Sequence, residues 1–147
     1  MVVSLPPPCQ RNGHGNAPLG QMDDPVQDLK DCDAWMSTEV PKILASQAYK
    51  DNGVLFITWD ESDFTGSGFN GFGDDTGCCD AIPTKGGGHV VTLVISHSNH
   101  AAVSSAVAYN HYSLLRTIQD GWQLGCLGFT CDTANVPAMS DLTGPKG

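Results

Sequence analysis

A nearly continuous apolar run from Val54 to Trp59 ends at two adjacent carboxylates, Asp60 and Glu61, and a glycine-rich stretch follows. A strand that is apolar at almost every position is typical of an interior strand in a sheet covered on both faces. In α/β sheets, the loops after the carboxyl ends of the strands carry the chemistry. Two neighbouring carboxylates repel each other, so a partly buried pair requires a cation, most simply a bound metal. The alternative is an ordinary strand end with two solvated acids.

A second apolar run, Val90 to Ser96, is rich in β-branched residues and predicts a second interior strand. Upstream, the apolar residues between Asp33 and Leu44 recur at helical spacing, and we expect Pro41 to kink or restart that helix. Lys50 to Gly53 supplies a turn into the first strand. A helix, a short turn and a buried strand in succession indicate an α/β fold.

A further helix is predicted to begin at His111, because Asn110 is a good N-cap residue. Four apolar residues then follow at spacings of three and four, which predicts one apolar face: Tyr112, Leu115, Ile118 and Trp122. We expect Gly121 or Gly125 to end this helix.

The 147 residues divide into an irregular stretch at 1–30, an α/β core at 31–125 and a turn-rich tail at 126–147. Within the core, residues 62–88 hold eight glycines and predict a long loop. We interpret the whole as part of one domain.

Charge and hydropathy exclude several classes of protein. A net charge of −9 argues against a protein that binds nucleic acid or an anionic membrane. No apolar stretch approaches the roughly 20 residues of a transmembrane helix. The segment beginning at Met1 lacks the features of a secretory signal, so any export signal is expected outside these residues.

The chain has six cysteines, an even number without zinc-finger spacing, at positions 9, 32, 78, 79, 126 and 131. Disulfides are the favoured interpretation, and they indicate a secreted, extracytoplasmic protein. Cys126 and Cys131 could close a small loop, whereas the adjacent Cys78 and Cys79 are expected to bond to separate partners. The alternative is a set of buried, reduced thiols.

Asp60, Glu61 and His111 each stand at the end of a predicted element, where a side chain can project into a shared crevice. Carboxylate and imidazole ligands together suit Mg²⁺, Mn²⁺, Fe²⁺ or Zn²⁺. A histidine at a helix start is also a common capping-region residue, and the acidic cluster around Asp60 could instead hold Ca²⁺.

Several motifs resemble those of the secreted phosphoesterase family, which includes acid phosphatases and bacterial phospholipases C and belongs to the alkaline phosphatase superfamily. They are DAWMSTEVPKILASQAYKDNGVLFITWDE, GCCD, GGGHVVTLVIS, and YNHYSLLRTIQDGWQLGCLG followed by CDT. The resemblance extends from about Cys9 to Leu142. It implies part of a three-layer sandwich of the alkaline phosphatase type, with a mostly parallel sheet.

The resemblance also implies roles for individual residues. Asp60 and Glu61 would be metal-site carboxylates, and His111 would ligate a metal or face the phosphate. His14 matches the histidine of the family's Asp-x-His segment, although Asn12 stands where that segment has aspartate. His89 follows three glycines and is a candidate to hydrogen-bond the substrate, or else an ordinary loop histidine.

The implied function is metal-dependent hydrolysis of phosphoric ester bonds, of phosphatase or phospholipase C type. The family's N-terminal half supplies a Glu-Asn metal pair and a Ser or Thr nucleophile, and no counterpart precedes Cys9. We therefore expect a C-terminal portion in which no catalytic residue is identified, with the missing N-terminal portion as its partner. The alternative is a non-catalytic secreted fragment that binds a metal or has a structural role.

Overall fold

The computed structural model describes residues 25–60, 88–97 and 102–143, with side chains from residue 30 onward. The elements in chain order are helices α1 (Pro25–Ala45) and α2 (Gln47–Lys50), strands β1 (Val54–Thr58) and β2 (Thr92–Ser96), helix α3 (His111–Gly121), a 3₁₀ turn at Gly128–Cys131, and helix α4 (Ser140–Thr143). This mixture of helix and strand confirms the α/β content. The glycine-rich loop predicted at 62–88 lies, apart from its last residue, outside the described residues.

Helix α1 begins at Pro25, within the stretch expected to be irregular, and passes through Pro41 without interruption. Proline suits a first helical turn, because the amide that it lacks would have no partner there. The chain restarts as α2 only after Ser46, whose hydroxyl accepts a hydrogen bond from the Tyr49 amide at 3.3 Å. The helix break therefore falls at a serine cap and not at the proline.

The predicted turn before β1 is confirmed, and Gly53 is essential to its geometry. The Gly53 amide donates to the Tyr49 carbonyl at 2.8 Å, and Asn52 has a positive φ of 67°. A Cβ atom on Gly53 would lie 2.5 Å from the Ala48 carbonyl oxygen. Only glycine permits this close return of the chain over α2.

Strands β1 and β2 pair antiparallel, with Val54 opposite Ser96 and Thr58 opposite Thr92. The mostly parallel sheet expected from the resemblance is thus not confirmed, because the described residues form a two-stranded antiparallel ribbon. An apolar run predicts a buried strand but carries no information on the direction of its neighbour.

On one face of this ribbon, the side chains of β1 are covered. Leu55 and Ile57 are buried, and they line an apolar cavity together with Trp35, Val40 and Ile43 of α1. Leu93 of β2, directly opposite Ile57 on the same face, is 46% exposed. The expected burial of both strands on both faces is therefore not confirmed.

A second core lies between α3 and the segment 126–143, which we call the C-terminal clasp. Val136 and Thr130 of the clasp and Ser113 of α3 are the largest fully buried side chains among the described residues. A disulfide between Cys126 and Cys131 closes the first loop of the clasp, as predicted. Cys32 is also disulfide-bonded.

The predicted helix at His111 is confirmed, but only part of its predicted apolar face packs. Tyr112 lies against Phe129 of the clasp, with the ring centroids 5.2 Å apart, and Ile118 is partly buried. Leu115 is 40% exposed and Trp122 is 77% exposed, whereas the polar Ser113 is fully buried. The clasp therefore packs against polar residues of α3 as well as Tyr112. Among the described helices, none combines the length and the hydropathy needed to cross a membrane.

Candidate functional site

The ribbon brings two of the predicted site residues to one end. Asp60 lies two residues beyond the end of β1, and His89 lies three residues before the start of β2. Because Thr58 is paired with Thr92, both side chains emerge at the same end of the ribbon. The two threonine hydroxyls are 2.8 Å apart and close this end. Both Asp60 and His89 are exposed residues.

His111 is the first residue of α3, and its backbone is held by a reciprocal cap. The Ser113 amide donates to Asn110 Oδ1 at 3.0 Å, and the Asn110 amide donates to Ser113 Oγ at 3.3 Å. The Leu114 amide also donates to the Asn110 carbonyl, at 3.2 Å. This capping box orders the start of the helix while the His111 side chain stays exposed.

A carboxylate of the clasp fixes the chain that leads into this cap. Ser105 Oγ donates to Asp141 Oδ2 at 2.6 Å, and the Tyr109 hydroxyl donates to Asp141 Oδ1. The Ser105 and Tyr109 hydrogen bonds lower the pKa of Asp141. Burial, together with the hydrogen bond to Asp141, raises the pKa of Tyr109. Sequence reasoning missed all three residues, because 36 and 32 positions separate the bonded pairs and no local pattern joins them.

The middle of α3 is anchored to the clasp as well. Arg116 Nη1 donates to the Val136 carbonyl at 2.7 Å, and the Met139 amide donates to Thr117 Oγ1 at 2.8 Å. The Thr117 hydroxyl in turn donates to the Ser113 carbonyl at 2.7 Å. These contacts explain why a polar face of α3 packs against the clasp, since its polar groups find partners there.

The clasp connects α3 to the ribbon at the end away from Asp60. Ser96 Oγ donates to the Thr143 carbonyl at 3.4 Å, where α4 contacts β2. Ser96 and Thr92 are separated by about 13 Å along the strand, at about 3.3 Å per residue. Asp60 and His89 are therefore held by the ribbon, and His111 is held by the clasp.

Two members of the predicted metal site, Glu61 and His14, lie outside the described residues. Within residues 25–60, 88–97 and 102–143, no three His, Cys, Asp or Glu side chains are grouped closely enough to hold a metal ion. The assignment of Asp60, Glu61, His111 and His14 as ligands stays a prediction, as does substrate binding by His89.

Comparison with known protein families identifies the family to which this chain belongs. The sequence model of the Phosphoesterase family matches residues 16–125, about three-quarters of the chain. The chain belongs to the Phosphoesterase family. The matched range includes both strands, α3 and the positions of Asp60, Glu61, His89 and His111. Membership confirms the resemblance to the phosphoesterase family and supports hydrolysis of a phosphate ester substrate. The end of the last long motif and the CDT motif lie beyond residue 125 and are not covered by the match.

Two parts of interest lie beyond the matched range, namely His14 and the clasp at 126–143. No curated protein matches the chain. No solved structure matches it.

Proposed function

We propose that this chain forms the metal-binding portion of a secreted, metal-dependent hydrolase of phosphoric ester bonds, of phosphatase or phospholipase C type. One observation carries the proposal. The Phosphoesterase match covers both the strand that ends at Asp60 and Glu61 and the capped helix that begins at His111. Secretion is supported by the Cys126–Cys131 disulfide, since such bonds persist in oxidising compartments.

The donor set fits a divalent cation. Asp60 and His111 are exposed, and each follows or begins a regular element that fixes its backbone. We infer that these two residues, with Glu61 and His14, hold the ion, which would be Zn²⁺, Mn²⁺, Fe²⁺, Mg²⁺ or Ca²⁺. When bound, such an ion polarises a phosphoryl oxygen and offsets the charge that develops during ester cleavage.

His89 would contribute to binding of the phosphate ester. It shares an end of the ribbon with Asp60, so a phosphate held near Asp60 would lie at the same end of the ribbon as the imidazole. The preceding residue, Gly88, has a positive φ of 75°, which turns the chain just before His89. An imidazole N–H in this position can donate a hydrogen bond to a phosphoryl oxygen.

Cleavage also requires a nucleophile, which we infer comes from a Ser or Thr in a segment N-terminal to the matched residues. Its oxygen would form a bond to phosphorus as the ester oxygen leaves. The same segment would add the further strands and layers of an alkaline-phosphatase-type sandwich. The exposure of Leu93 on β2 and of Val91, just before that strand, supports this, because an interior strand would have both faces covered.

Metal titration by calorimetry tests the site directly. The wild-type chain is expected to bind Zn²⁺ or Mn²⁺, and Asp60→Ala is expected to weaken binding at least 100-fold. Asp51→Ala is a matched control, because Asp51 is an exposed carboxylate near the other end of β1, hydrogen-bonded by Gln47 at 2.7 Å. Equal affinities for the two variants would refute the ligand assignment.

Hydrolysis of p-nitrophenyl phosphate and of a phosphocholine ester, with and without EDTA, then tests the reaction. The assay is run on this chain and on a form extended at its N-terminus. We expect turnover by the extended form that EDTA abolishes. Metal binding without turnover in either form would favour the non-catalytic alternative.

A further inference from the structure

The C-terminal clasp lies outside the matched range of the family, yet it contacts both α3, which begins at His111, and the loop that leads into α3. It supplies the buried Val136 and Thr130, and it hydrogen-bonds α3 through Arg116 and Thr117. Through Asp141 it also holds the loop that precedes α3. A segment with these contacts does more than cover an apolar surface, because its polar groups determine where the start of α3 lies.

Asp141 contacts two residues of the loop before His111, one six positions and one two positions upstream of it. Its two carboxylate oxygens accept from two different hydroxyls, those of Ser105 and Tyr109. Ser105 Oγ also accepts from the Val107 amide at 3.2 Å, and the Tyr109 amide donates to the Val107 carbonyl at 2.9 Å. The loop from 105 to 109 is therefore fixed at both of its ends by one side chain.

The capping box completes the connection from Asp141 to His111. Tyr109 adjoins Asn110, the N-cap, and Asn110 is bonded to the fully buried Ser113. A shift of Tyr109 would move the cap, and a shift of the cap would move the first helical residue. As long as these contacts persist, they hold the backbone of His111 in place, while its side chain stays exposed.

We propose that Asp141 is a positioning residue for His111, acting through Tyr109 and Asn110, and that the clasp thereby sets the metal affinity of the site. The second half of this inference rests on the proposed function. Hydrogen bonds to an ionised carboxylate are stronger than those between neutral groups. Residues that hydrogen-bond a metal ligand directly typically change metal affinity by about 10- to 100-fold when they are removed. Asp141 acts through two intervening residues, so we expect the lower end of this range.

Amide hydrogen exchange on the full chain, followed by NMR, tests the positioning role without any metal. The reporters are the amides of Ser113 and Leu114, both of which donate to Asn110. In Asp141→Ala we expect their exchange to be at least about tenfold faster, because two charge-assisted bonds are lost. Tyr109→Phe, which removes one hydroxyl only, should produce a smaller change in the same direction.

Asp132→Ala is the matched control within the clasp. Asp132 accepts from Asn135 Nδ2 at 2.8 Å and from the Ala134 amide at 3.2 Å. Its loss disturbs the clasp without removing a contact to the loop at 105–109. We expect the Ser113 and Leu114 amides to exchange within about twofold of wild type in this variant. Equal acceleration in Asp132→Ala and Asp141→Ala, or no acceleration in Asp141→Ala, would overturn the positioning role.

A titration with Zn²⁺ alone, read from the His111 imidazole resonances, tests the link to the site. At a temperature where all variants are folded, we expect about tenfold weaker binding in Asp141→Ala and unchanged binding in Asp132→Ala. Unchanged affinity in Asp141→Ala would refute the link. If the wild-type resonances do not respond to Zn²⁺, the proposed metal site fails, while the exchange measurement still decides whether Asp141 positions His111.

Discussion

Thr117→Val is the sharpest test of the packing between α3 and the C-terminal clasp. The substitution keeps the shape of the side chain and removes one oxygen, which accepts from the Met139 amide at 2.8 Å. Met139 is only 4% exposed, so its amide has little access to replacement water. A buried donor left without a partner costs about 1–3 kcal/mol. The helix propensities of Thr and Val are similar, so they contribute little. We expect the free energy of unfolding to fall by about 2 kcal/mol.

Urea unfolding, followed by circular dichroism, measures this change as a shift in midpoint at constant slope. Thr38→Val is the control, since the Thr38 hydroxyl donates to the Ala34 carbonyl at 3.0 Å on an exposed face of α1. Thr117 makes the equivalent bond within its own helix, to Ser113 at 2.7 Å. The control should change stability by less than about 0.5 kcal/mol. Equal effects of the two substitutions would show that the Met139 contact does not stabilise the fold.

Four further substitutions have expected outcomes that the same unfolding assay can check. Gly53→Ala should destabilise the fold by more than about 1 kcal/mol, because the new Cβ would lie 2.5 Å from the Ala48 carbonyl oxygen. Gly121→Ala is its control: no atom lies within 4 Å of the new Cβ, so the change should be neutral or stabilising by up to about 1 kcal/mol. Val136→Ala removes two methyl groups from a fully buried site and should cost about 2–3 kcal/mol from lost transfer energy and the cavity left behind. The pKa of Asp141 is lowered in the folded protein. The ionised Asp141 therefore stabilises the fold above the ordinary aspartate pKa of about 3.9, and this stabilisation is lost as the pH falls through the pKa of Asp141 in the folded protein. The stability difference between wild type and Asp141→Asn should therefore shrink from pH 5 to pH 2, and a constant difference would contradict this role.

The features that the sequence predicted well are those with local causes. The cap at Asn110 and the start of α3 at His111 follow from a side chain that bonds the backbone three residues later. The first strand was predicted as an apolar run reaching Trp59, and regular pairing ends one residue earlier, at Thr58. The turn at Gly53 could be predicted because the close approach of the chain to Ala48 excludes residues with a Cβ atom. Each of these signals lies within a few residues of the structure that it determines.

The features that could not be predicted depend on distant parts of the chain. An apolar strand carries no signal for its direction, so the antiparallel pairing of β1 and β2 was not foreseen. The packed face of α3 was predicted only in part. Of the predicted apolar residues, Tyr112 packs against Phe129, whereas Leu115 and Trp122 are exposed. The clasp contacts of Arg116 and Thr117 had no local signal. The role of Asp141 depends on contacts to hydroxyls more than 30 positions away.

Trp122, the residue that follows α3, also gives the protein an intrinsic fluorescent probe. Trp122 is 77% exposed, whereas Trp35 and Trp59 are both partly buried. Its indole should emit at the longer wavelengths of a solvated tryptophan and should be readily quenched by acrylamide. Any molecule or chain segment that comes to rest on this side of the helix would shift that emission to shorter wavelengths and shield it from the quencher. Contact with this surface can thus be followed in solution without attaching a label.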